Sequence, residues 1–573
     1  VEISPLHQID FYKSGHMYQY PDNTELVFSN LTPRASRMKE VDRVVFFMLQ
    51  YFIKEYLMDQ WQRNFFDKDL TGIILEFQDR MDNALGAGKV KAHHIEELHH
   101  LGYLPLEIRA VPEGSRVNLR VPMMVMWNTN PDFGWLTNYL ETIMSTTVWG
   151  GCTSATMANE YRGIMEQYAE KTGGDKAFID FQGHDFSCRG MFGFEAACMS
   201  GAGHLLSFKG TDTVGAVDFI EKYYKVWSGD NEVDDELIGC SVPATEHSVM
   251  CLGGDGDDEY DTIKRLITET YPTGPISIVC DTWDFFKVLT EILPRLKDII
   301  MARDGKVIIR PDSGDPADII CGTAKIVDYG DEVSSLGELK LWAKDDITDK
   351  VNEDTPHGEC GTFEEFGLFR FNGLIYKIEV AMEWNRHDKQ YYYMEESHVS
   401  GCEVVNLTPE QKGAVELLWE TFGGTTTEKG YKQLDSHIGL IYGDSITLDR
   451  CRDICSRLSD KGFASTNVVF GIGSYTYTYT TRDVFGFAVK ATYAEIDGKP
   501  VEIYKKPKTD DGTKNSAKGL TAVYMSQDGN FHMQDQATWD HVKNCSLELV
   551  YRDGALIRNT DISEIRETLR RQR

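Results

Sequence analysis

From Phe178 to Ser474 the sequence repeats one pattern: a short apolar run ending on a polar residue, then an amphipathic helical stretch. Phe178-Ile-Asp-Phe leads to Gly183-His-Asp-Phe-Ser-Cys-Arg-Gly, His204-Leu-Leu-Ser-Phe to Lys209-Gly-Thr-Asp-Thr, and Gly239-Cys-Ser-Val-Pro to Ala244-Thr-Glu-His. Ile276-Ser-Ile-Val-Cys leads to Asp281 and Lys306-Val-Ile-Ile to Arg310-Pro-Asp-Ser-Gly-Asp-Pro. Ile438-Gly-Leu-Ile-Tyr leads to Gly443-Asp-Ser, and Asn467-Val-Val-Phe to Gly471-Ile-Gly-Ser. Short apolar runs alternating with helices read as parallel strands with helical crossovers. A doubly wound sheet and a (β/α) barrel both satisfy such alternation, and both bind ligands at the carboxyl ends of the strands. Seven polar strand ends converging on one mouth favour an α/β fold with an irregular, barrel-like domain of about seven strands over residues 176–480.

The flanking regions read differently. Residues 1–175 form a mixed α+β domain: Asp10 to Arg37 is loop and strand, Val41 to Asp59 is a helix, and strands follow at Leu104 and Pro122. Helices are expected at Trp135 to Thr147 and Thr153 to Lys171. Part of 481–530 returns to this domain, and 481–573 holds a phosphate-loop segment and the C-terminal region. Between about 320 and 435 an insertion interrupts the repeat. It carries a hairpin, Leu374 to Glu383 with Gln390 to Met394, and a helix opened by Thr408-Pro-Glu-Gln, and it reads as surface elaboration.

Charge narrows the class of partner. Among 573 residues the net charge is −31, which argues against nucleic acid or an anionic membrane and leaves room for a local cationic pocket. The most apolar run, Val44 to Ile53, is too short to span a bilayer. The N-terminus shows no export signal, and the dispersed cysteines read as free thiols of a reducing compartment, so a cytoplasmic location is expected. Two runs read as distractors, the first as a solvated helical face and the second as a helix start with favourable dipole placement. His93, His94, His99 and His100 match no metal-ligand spacing, and Asp255-Gly-Asp-Asp-Glu does not follow the order of a calcium loop.

The strand ends carry the chemistry. His247 shares the expected mouth with Asp281 and Asp312, and a carboxylate can hold an imidazole in one tautomer. Arg310-Pro-Asp-Ser-Gly-Asp-Pro combines a guanidinium fork suited to phosphate with a carboxylate suited to ribose hydroxyls. Asp212 stands where a strand gives way to a helix, as a helix cap or as a ligand group. Arg189, Arg482 and Lys490, with Lys505 and Lys514 in a Gly- and Pro-bearing stretch, supply positive charge in an acidic chain.

Five motifs in order, Asp10-Phe-Tyr-Lys, His184-Asp-Phe-Ser-Cys-Arg-Gly, Phe208-Lys-Gly-Thr-Asp-Thr-Val, Ser241-Val-Pro-Ala-Thr-Glu-His-Ser and Ile308-Ile-Arg-Pro-Asp-Ser-Gly-Asp-Pro, resemble the nicotinamide phosphoribosyltransferases. The likeness runs from about residue 8 to the C-terminus, insertion excepted. It implies a type II phosphoribosyltransferase fold and a homodimer with active sites at the subunit interface. The implied reaction joins nicotinamide to 5-phosphoribosyl 1-pyrophosphate with Mg²⁺, coupled to ATP hydrolysis through a phosphohistidine. No metal ligand of the chain is implied, since Mg²⁺ is expected through the substrate phosphates.

Residue by residue, the resemblance makes His247 the phosphorylated histidine, Asp281 its orienting carboxylate, and Arg310 and Asp312 ribose contacts. Phe186 becomes the aromatic under the nicotinamide ring, with Tyr12 of the other subunit opposite, and Arg189, Asp212 and Ser277 in the same base pocket. Gly443, Asp444, Gly471, Gly473 and Arg482 become ribose and phosphate contacts. Arg34, Lys490, Lys505 and Lys514 join the pyrophosphate and ATP set. Asp212 is expected to favour the neutral amide over nicotinate, whose carboxylate it would repel. One departure from the family pattern is Gly471-Ile-Gly-Ser running into Tyr475-Thr-Tyr-Thr-Tyr-Thr where further glycines are usual. The competing readings are a nicotinate phosphoribosyltransferase and a non-catalytic nucleotide sensor.

Overall fold

The computed structural model describes residues 3–225, 236–253, 258–354, 361–386, 392–443, 445–504 and 517–573. The apolar runs build a ring of parallel strands. Gly183–Asp185 pairs with Gly210–Thr211 on one side and Val468–Ile472 on the other. From there the sheet continues through Ile438–Tyr442 and Val307–Arg310 to Ile276–Val279. Single parallel bridges, Gly210 to Cys240 and Ala244 to Ser277, bring the stretch between them in as a seventh stave. Round the ring each stave is followed by the next one in the chain, and the last meets the first. The core of this unit packs Ile276, Ile278, Val307, Ile309, Leu440 and Phe470 against Leu289, Leu293, Leu296, Ile454 and Leu458 of the surrounding helices.

Two staves begin later than the apolar runs suggest. Ile179–Gln182 is a helical turn and the strand starts at Gly183; the run at His204 ends the helix Phe194–His204, leaving Gly210–Thr211 as strand. Both runs are spent on packing. Phe208 lies against Gly183, where a Cβ would sit 2.8 Å from its ring, and Leu205 and Leu206 join the core of the neighbouring unit.

That neighbour is built on a seven-stranded sheet. Its order is Lys499–Glu502, Ala488–Ile496, Thr24–Thr32, Met124–Asn128, Leu106–Ala110, Glu548–Arg552 and Ala555–Leu556, antiparallel throughout. A 32-residue helix, Glu141–Thr172, packs on Phe194–His204 and contributes side chains to both cores. The two helices expected there, Trp135–Thr147 and Thr153–Lys171, are largely this one element, preceded only by the turn Leu136–Tyr139. Gly150-Gly151 does not break it, because Gly151 serves as a gap for the Met48 side chain.

The single helix expected at Val41–Asp59 is corrected as well. Arg43–Val45 is a strand paired with Arg116–Asn118, and the helical run begins at Leu49 after Met48 turns the chain at φ 79°. The backbone of Phe46 is already committed to Ser115 and Gly114, and the Glu113 carboxylate accepts from Gln50 N at 2.6 Å, fixing where the helix starts.

The insertion folds on its own apolar cluster. Ile326–Asp328, Gly361–Phe371, Leu374–Arg386 and Tyr392–Val404 form a four-stranded sheet. The helix Leu336–Asp354 covers one face through Leu339, Ala343 and Ile347, which meet Phe369, Ile378, Val380 and Met382. The expected hairpin is present, with its tip at 387–391 outside the described residues.

Candidate active site

A cavity of about 450 Å³ fills the ring. His184, Phe186, Asp212, Ser241, Ser277 and Arg310 line one end, and Lys306, Gln433 and Asn467 the other. The first end is the carboxyl end of the strands, where neighbouring crossovers diverge and leave room for a ligand.

The turn after Gly183–Asp185 is bolted down before it presents Phe186. The buried Asp185 carboxylate accepts from Ser187 N and Oγ, from Thr211 Oγ1 and from Thr213 Oγ1, and Phe186 N donates to Ile472 O. The Phe186 ring lies 4.7 Å from His184 and 6.0 Å from the Arg310 guanidinium. It also rests on Gly471, where a Cβ would be 2.8 Å from the ring, so any larger residue would push it aside.

Asp212 is held rather than free. Its Oδ1 is 2.9 Å from His184 Nε2 and accepts from Ser241 Oγ at 2.5 Å. Burial opposes its charge, but the His184 and Ser241 hydrogen bonds prevail and keep the carboxyl below the usual carboxylate range. Its cap-like position is therefore not used as a cap. His184 and Ser241 are the residues that sequence reasoning quoted without assigning. Three different strand ends supply the group, so no local spacing shows it.

The second cluster joins His247 to Asp281 and Asp312. His247 opens the helix His247–Gly253 and is half-exposed, with Nε2 3.9 Å from Asp281 Oδ1 and 3.8 Å from Asp312 Oδ2. Asp281 Oδ2 accepts from Asp312 N at 2.8 Å, Ser313 N at 2.8 Å and Ser313 Oγ at 2.7 Å, which fixes the loop after Val307–Arg310. Arg310 Nη2 donates to Thr245 O at 2.9 Å. Gly443 sits beside Asp312, a Cβ there falling 2.5 Å from Oδ1.

Buried polar atoms normally find partners. Here Ser277 Oγ, Asp281 Oδ1 and Arg310 Nε have none. They are a hydroxyl, an acceptor and a donor, grouped on adjacent staves at the mouth, as a polar ligand would require.

The remaining expected residues lie elsewhere in the chain. Arg189 is exposed on the turn Cys188–Gly190, and Gly473 precedes the short helix Ser474–Thr478. Tyr12, Arg34, Arg482 and Lys490 belong to the other unit or the connection to it, and none of them lines the cavity. Arg34 Nε donates to Gly486 O at 2.9 Å, and Lys490 pairs in register with Asn30. Tyr12 is 60% exposed, and the Arg482 charge reaches it. Asp444, Lys505 and Lys514 lie outside the described residues, as does the Asp255 run.

Residues 181–338 and 389–547 match the model of the nicotinate phosphoribosyltransferase (NAPRTase) family, and residues 4–108 match the nicotinamide phosphoribosyltransferase N-terminal domain. A nicotinamide phosphoribosyltransferase of Acinetobacter baylyi is 44% identical over 581 residues, covering 100% of this chain and 98% of the relative. The chain belongs to the nicotinamide phosphoribosyltransferase family. A second member, from Mycoplasma pneumoniae, is 28% identical over 526 residues, covering 89% of this chain and 93% of its own. The fold of this family member is also that of the nicotinate-nucleotide pyrophosphorylase from Pyrococcus furiosus, with a TM-score of 0.50 at 12% identity over 100% of this chain and 95% of the other. As a phosphoribosyltransferase the protein is a pentosyltransferase enzyme. Between the two family matches falls the core of the insertion, 339–388. Among the described residues no helix is long and apolar enough to cross a membrane.

Proposed function

We propose that this chain joins nicotinamide to 5-phosphoribosyl 1-pyrophosphate, giving nicotinamide mononucleotide and pyrophosphate for NAD salvage. The bond from the anomeric carbon to the pyrophosphate oxygen breaks, its electron pair leaving with pyrophosphate, and the lone pair of the pyridine nitrogen forms the new bond. Positive charge grows on the sugar ring and negative charge on the leaving group. Phe186 supports the flat ring and aims its nitrogen, so that positioning lowers the barrier. Arg310 and Asp312 grip the ribose and phosphate, with Arg189 at the ring and Ser277 Oγ offering a partner to the amide.

The observation that carries the choice of base is the Asp212 carboxylate, held in the cavity wall by His184 and Ser241. An amide NH₂ can donate to it, whereas a second carboxylate would meet like charge in a confined site. The deciding assay supplies each base with the activated sugar and Mg²⁺: nicotinamide should be turned over far faster, and equal use of nicotinate would overturn the assignment.

Mg²⁺ fits this donor set as a passenger of the substrate. Among the described residues no group of three or more His, Cys, Asp or Glu could hold a metal ion, while the Arg310 guanidinium, suited to phosphate, lines the cavity. Mg²⁺ commonly binds through substrate phosphates. It would be held by the phosphate oxygens, where it neutralises charge on the leaving group. Arg310 and Arg189 would orient those phosphates. ATP coupling through a phosphate on His247 belongs to the same reading, supported by Asp281 and Asp312 on its Nε2 side. Omitting ATP, and His247→Ala, should lower the rate to the same level; a mutant that still gains from ATP would remove the histidine from this role.

The proposed assembly is a homodimer in the cytoplasm. It is supported by Tyr12 and the cationic set of Arg34, Arg482 and Lys490 lying apart from the cavity in one chain, and by exposed apolar side chains. Phe11 is 50%, Phe192 91% and Val214 75% exposed. Mixing inactive Tyr12→Ala with inactive Phe186→Ala subunits should regenerate about a quarter of wild-type activity, from sites intact on both sides. No recovery on subunit exchange would mean that the sites are not shared.

A further inference from the structure

The alternating run Tyr475-Thr-Tyr-Thr-Tyr-Thr has no part in the reaction described above, and the fold divides it by direction. Tyr475 and Tyr479 are exposed and stack on each other with ring centroids 5.1 Å apart. Tyr477 turns inward and is buried, its hydroxyl 2.7 Å from Nδ1 of the equally buried His204. On the other side of that ring, His204 Nε2 is 3.1 Å from Gly210 O. A carbonyl oxygen only accepts, so Nε2 carries the proton. Burial pushes the pKa of the ring down to about 4, which leaves it neutral. The Nδ1 lone pair therefore accepts from the Tyr477 hydroxyl, and the direction of both hydrogen bonds is fixed.

The two ends of this buried pair lead to the two sides of the base site. At one end Gly210 packs on His184, where a Cβ would sit 2.7 Å from Nδ1, and His184 Nε2 is 2.9 Å from Asp212 Oδ1. At the other end Tyr477 belongs to the helix Ser474–Thr478, which supports the turn that presents Phe186 and Arg189. Thr478 Oγ1 donates to Gly190 O at 3.1 Å, and Ser474 fills the space that a Cβ on Gly190 would need. Just before the helix, Ile472 O accepts from Phe186 N and Gly471 lies under the Phe186 ring. The Asp185 hydrogen bonds fix the start of the turn, and its far arm, Cys188–Gly190, rests on the helix.

We propose that Tyr477 and His204 are positioning residues for the base, their hydrogen bond acting as a brace that sets the gap between the Phe186 ring and the Asp212 carboxylate. The inference deepens the reading that these two groups take nicotinamide, and it rests on that reading. A flat ring seated on Phe186 must bring its amide to Asp212, so a drift of one support against the other weakens the base before it weakens the activated sugar. Removing the Tyr477 hydroxyl leaves a buried lone pair on Nδ1 without a donor, an arrangement that protein interiors avoid. It also frees the helix Ser474–Thr478 from the stave Gly210–Thr211, and the Phe186 turn moves with the helix.

Two measurements test this on the full-length protein. Tyr477→Phe keeps the ring and removes only the hydroxyl. Its KM for nicotinamide should rise about tenfold while KM for 5-phosphoribosyl 1-pyrophosphate stays within about twofold of wild type. Tyr161→Phe is the control, since Tyr161 offers the same helix a second buried hydroxyl, 2.9 Å from Thr476 Oγ1 and away from His204. It should leave both KM values within about twofold. In the second measurement, ¹⁵N-histidine spectra of the folded variants should show one Nδ1 signal displaced by Tyr477→Phe and unmoved by Tyr161→Phe. If no histidine signal moves, the hydroxyl does not meet His204 and the brace is wrong. If both KM values rise together in Tyr477→Phe, or the nicotinamide KM rises equally in Tyr161→Phe, the pair serves the fold and not the base. If Phe186→Ala and Asp212→Ser keep the wild-type kcat/KM for nicotinamide, the reading of the base site fails and takes the brace with it, whereas a null result in Tyr477→Phe removes the brace alone.

Discussion

Asp212 in the barrel and Glu113 beneath the antiparallel sheet are both shielded carboxyl groups, and the two regions treat them in opposite ways. Asp212 meets an imidazole and a hydroxyl, and these hold it below the usual range although burial works against it. Glu113 is pushed up to about 7 by burial, against hydrogen bonds from the backbone of Gln50 and from Tyr224 that favour its charge. The first keeps its charge at the wall of a cavity, where a ligand can read it. The second is enclosed at the start of a helix, where it serves the fold. Burial alone therefore does not mark a functional carboxylate. The partners do, together with open space in front of the unshared oxygen.

The sharpest way to break this contrast is Asp212→Ser. Removing the charge should cut the preference for nicotinamide over nicotinate by about a thousandfold, measured as the ratio of kcat/KM values. A ratio that stays put would show that Asp212 does not read the base. Next in size is Glu113→Gln. A carboxyl whose folded value is about 7 against 4.5 unfolded lends stability below pH 4.5 that fades as pH rises through 7. That contribution is on the order of 3 kcal/mol. Denaturant unfolding of wild type should weaken across this window, and Glu113→Gln should flatten the slope. A slope equal to that of wild type would place the carboxyl in a wetter setting.

Ser241→Ala should have a smaller effect. It removes one of the two groups fixing Asp212, and KM for nicotinamide should rise about tenfold, in line with roughly 1.5 kcal/mol for a hydrogen bond to a charged group. An unchanged KM together with unchanged base preference would leave His184 as the sole support. Smallest of all is excision of residues 323–407 with a short Gly-Ser joint. The module has its own core, and its stem enters and leaves side by side, Thr323 N donating to Glu410 O and Ala324 N to Gln411 O. The value of kcat/KM should stay within about twofold. A large loss would move the module from the periphery into the reaction.

Much of the barrel was legible because the same signal recurred: apolar run, polar end, amphipathic helix. Its limits were blurred where apolar residues served something other than a strand, as at Ile179 and at Leu205 and Leu206. Val41–Asp59 misled for a related reason. Its apolar face satisfies a helix, but the strand at Arg43–Val45 depends on Arg116–Asn118, which no nearby residue announces. In the site, motifs pointed to Phe186, Asp212, His247, Asp281 and Arg310. The hydrogen bonds that prepare them did not show, since His184, Asp212 and Ser241 meet only when three staves stand side by side.

The closed ring also has a schedule. The stave at Gly183–Asp185 finds one neighbour almost at once in Gly210–Thr211, but the other, Val468–Ile472, comes off the ribosome far later. At roughly 5–20 residues per second that interval is on the order of tens of seconds. Throughout it the nascent chain carries a bare strand edge, and the inserted module lengthens the wait.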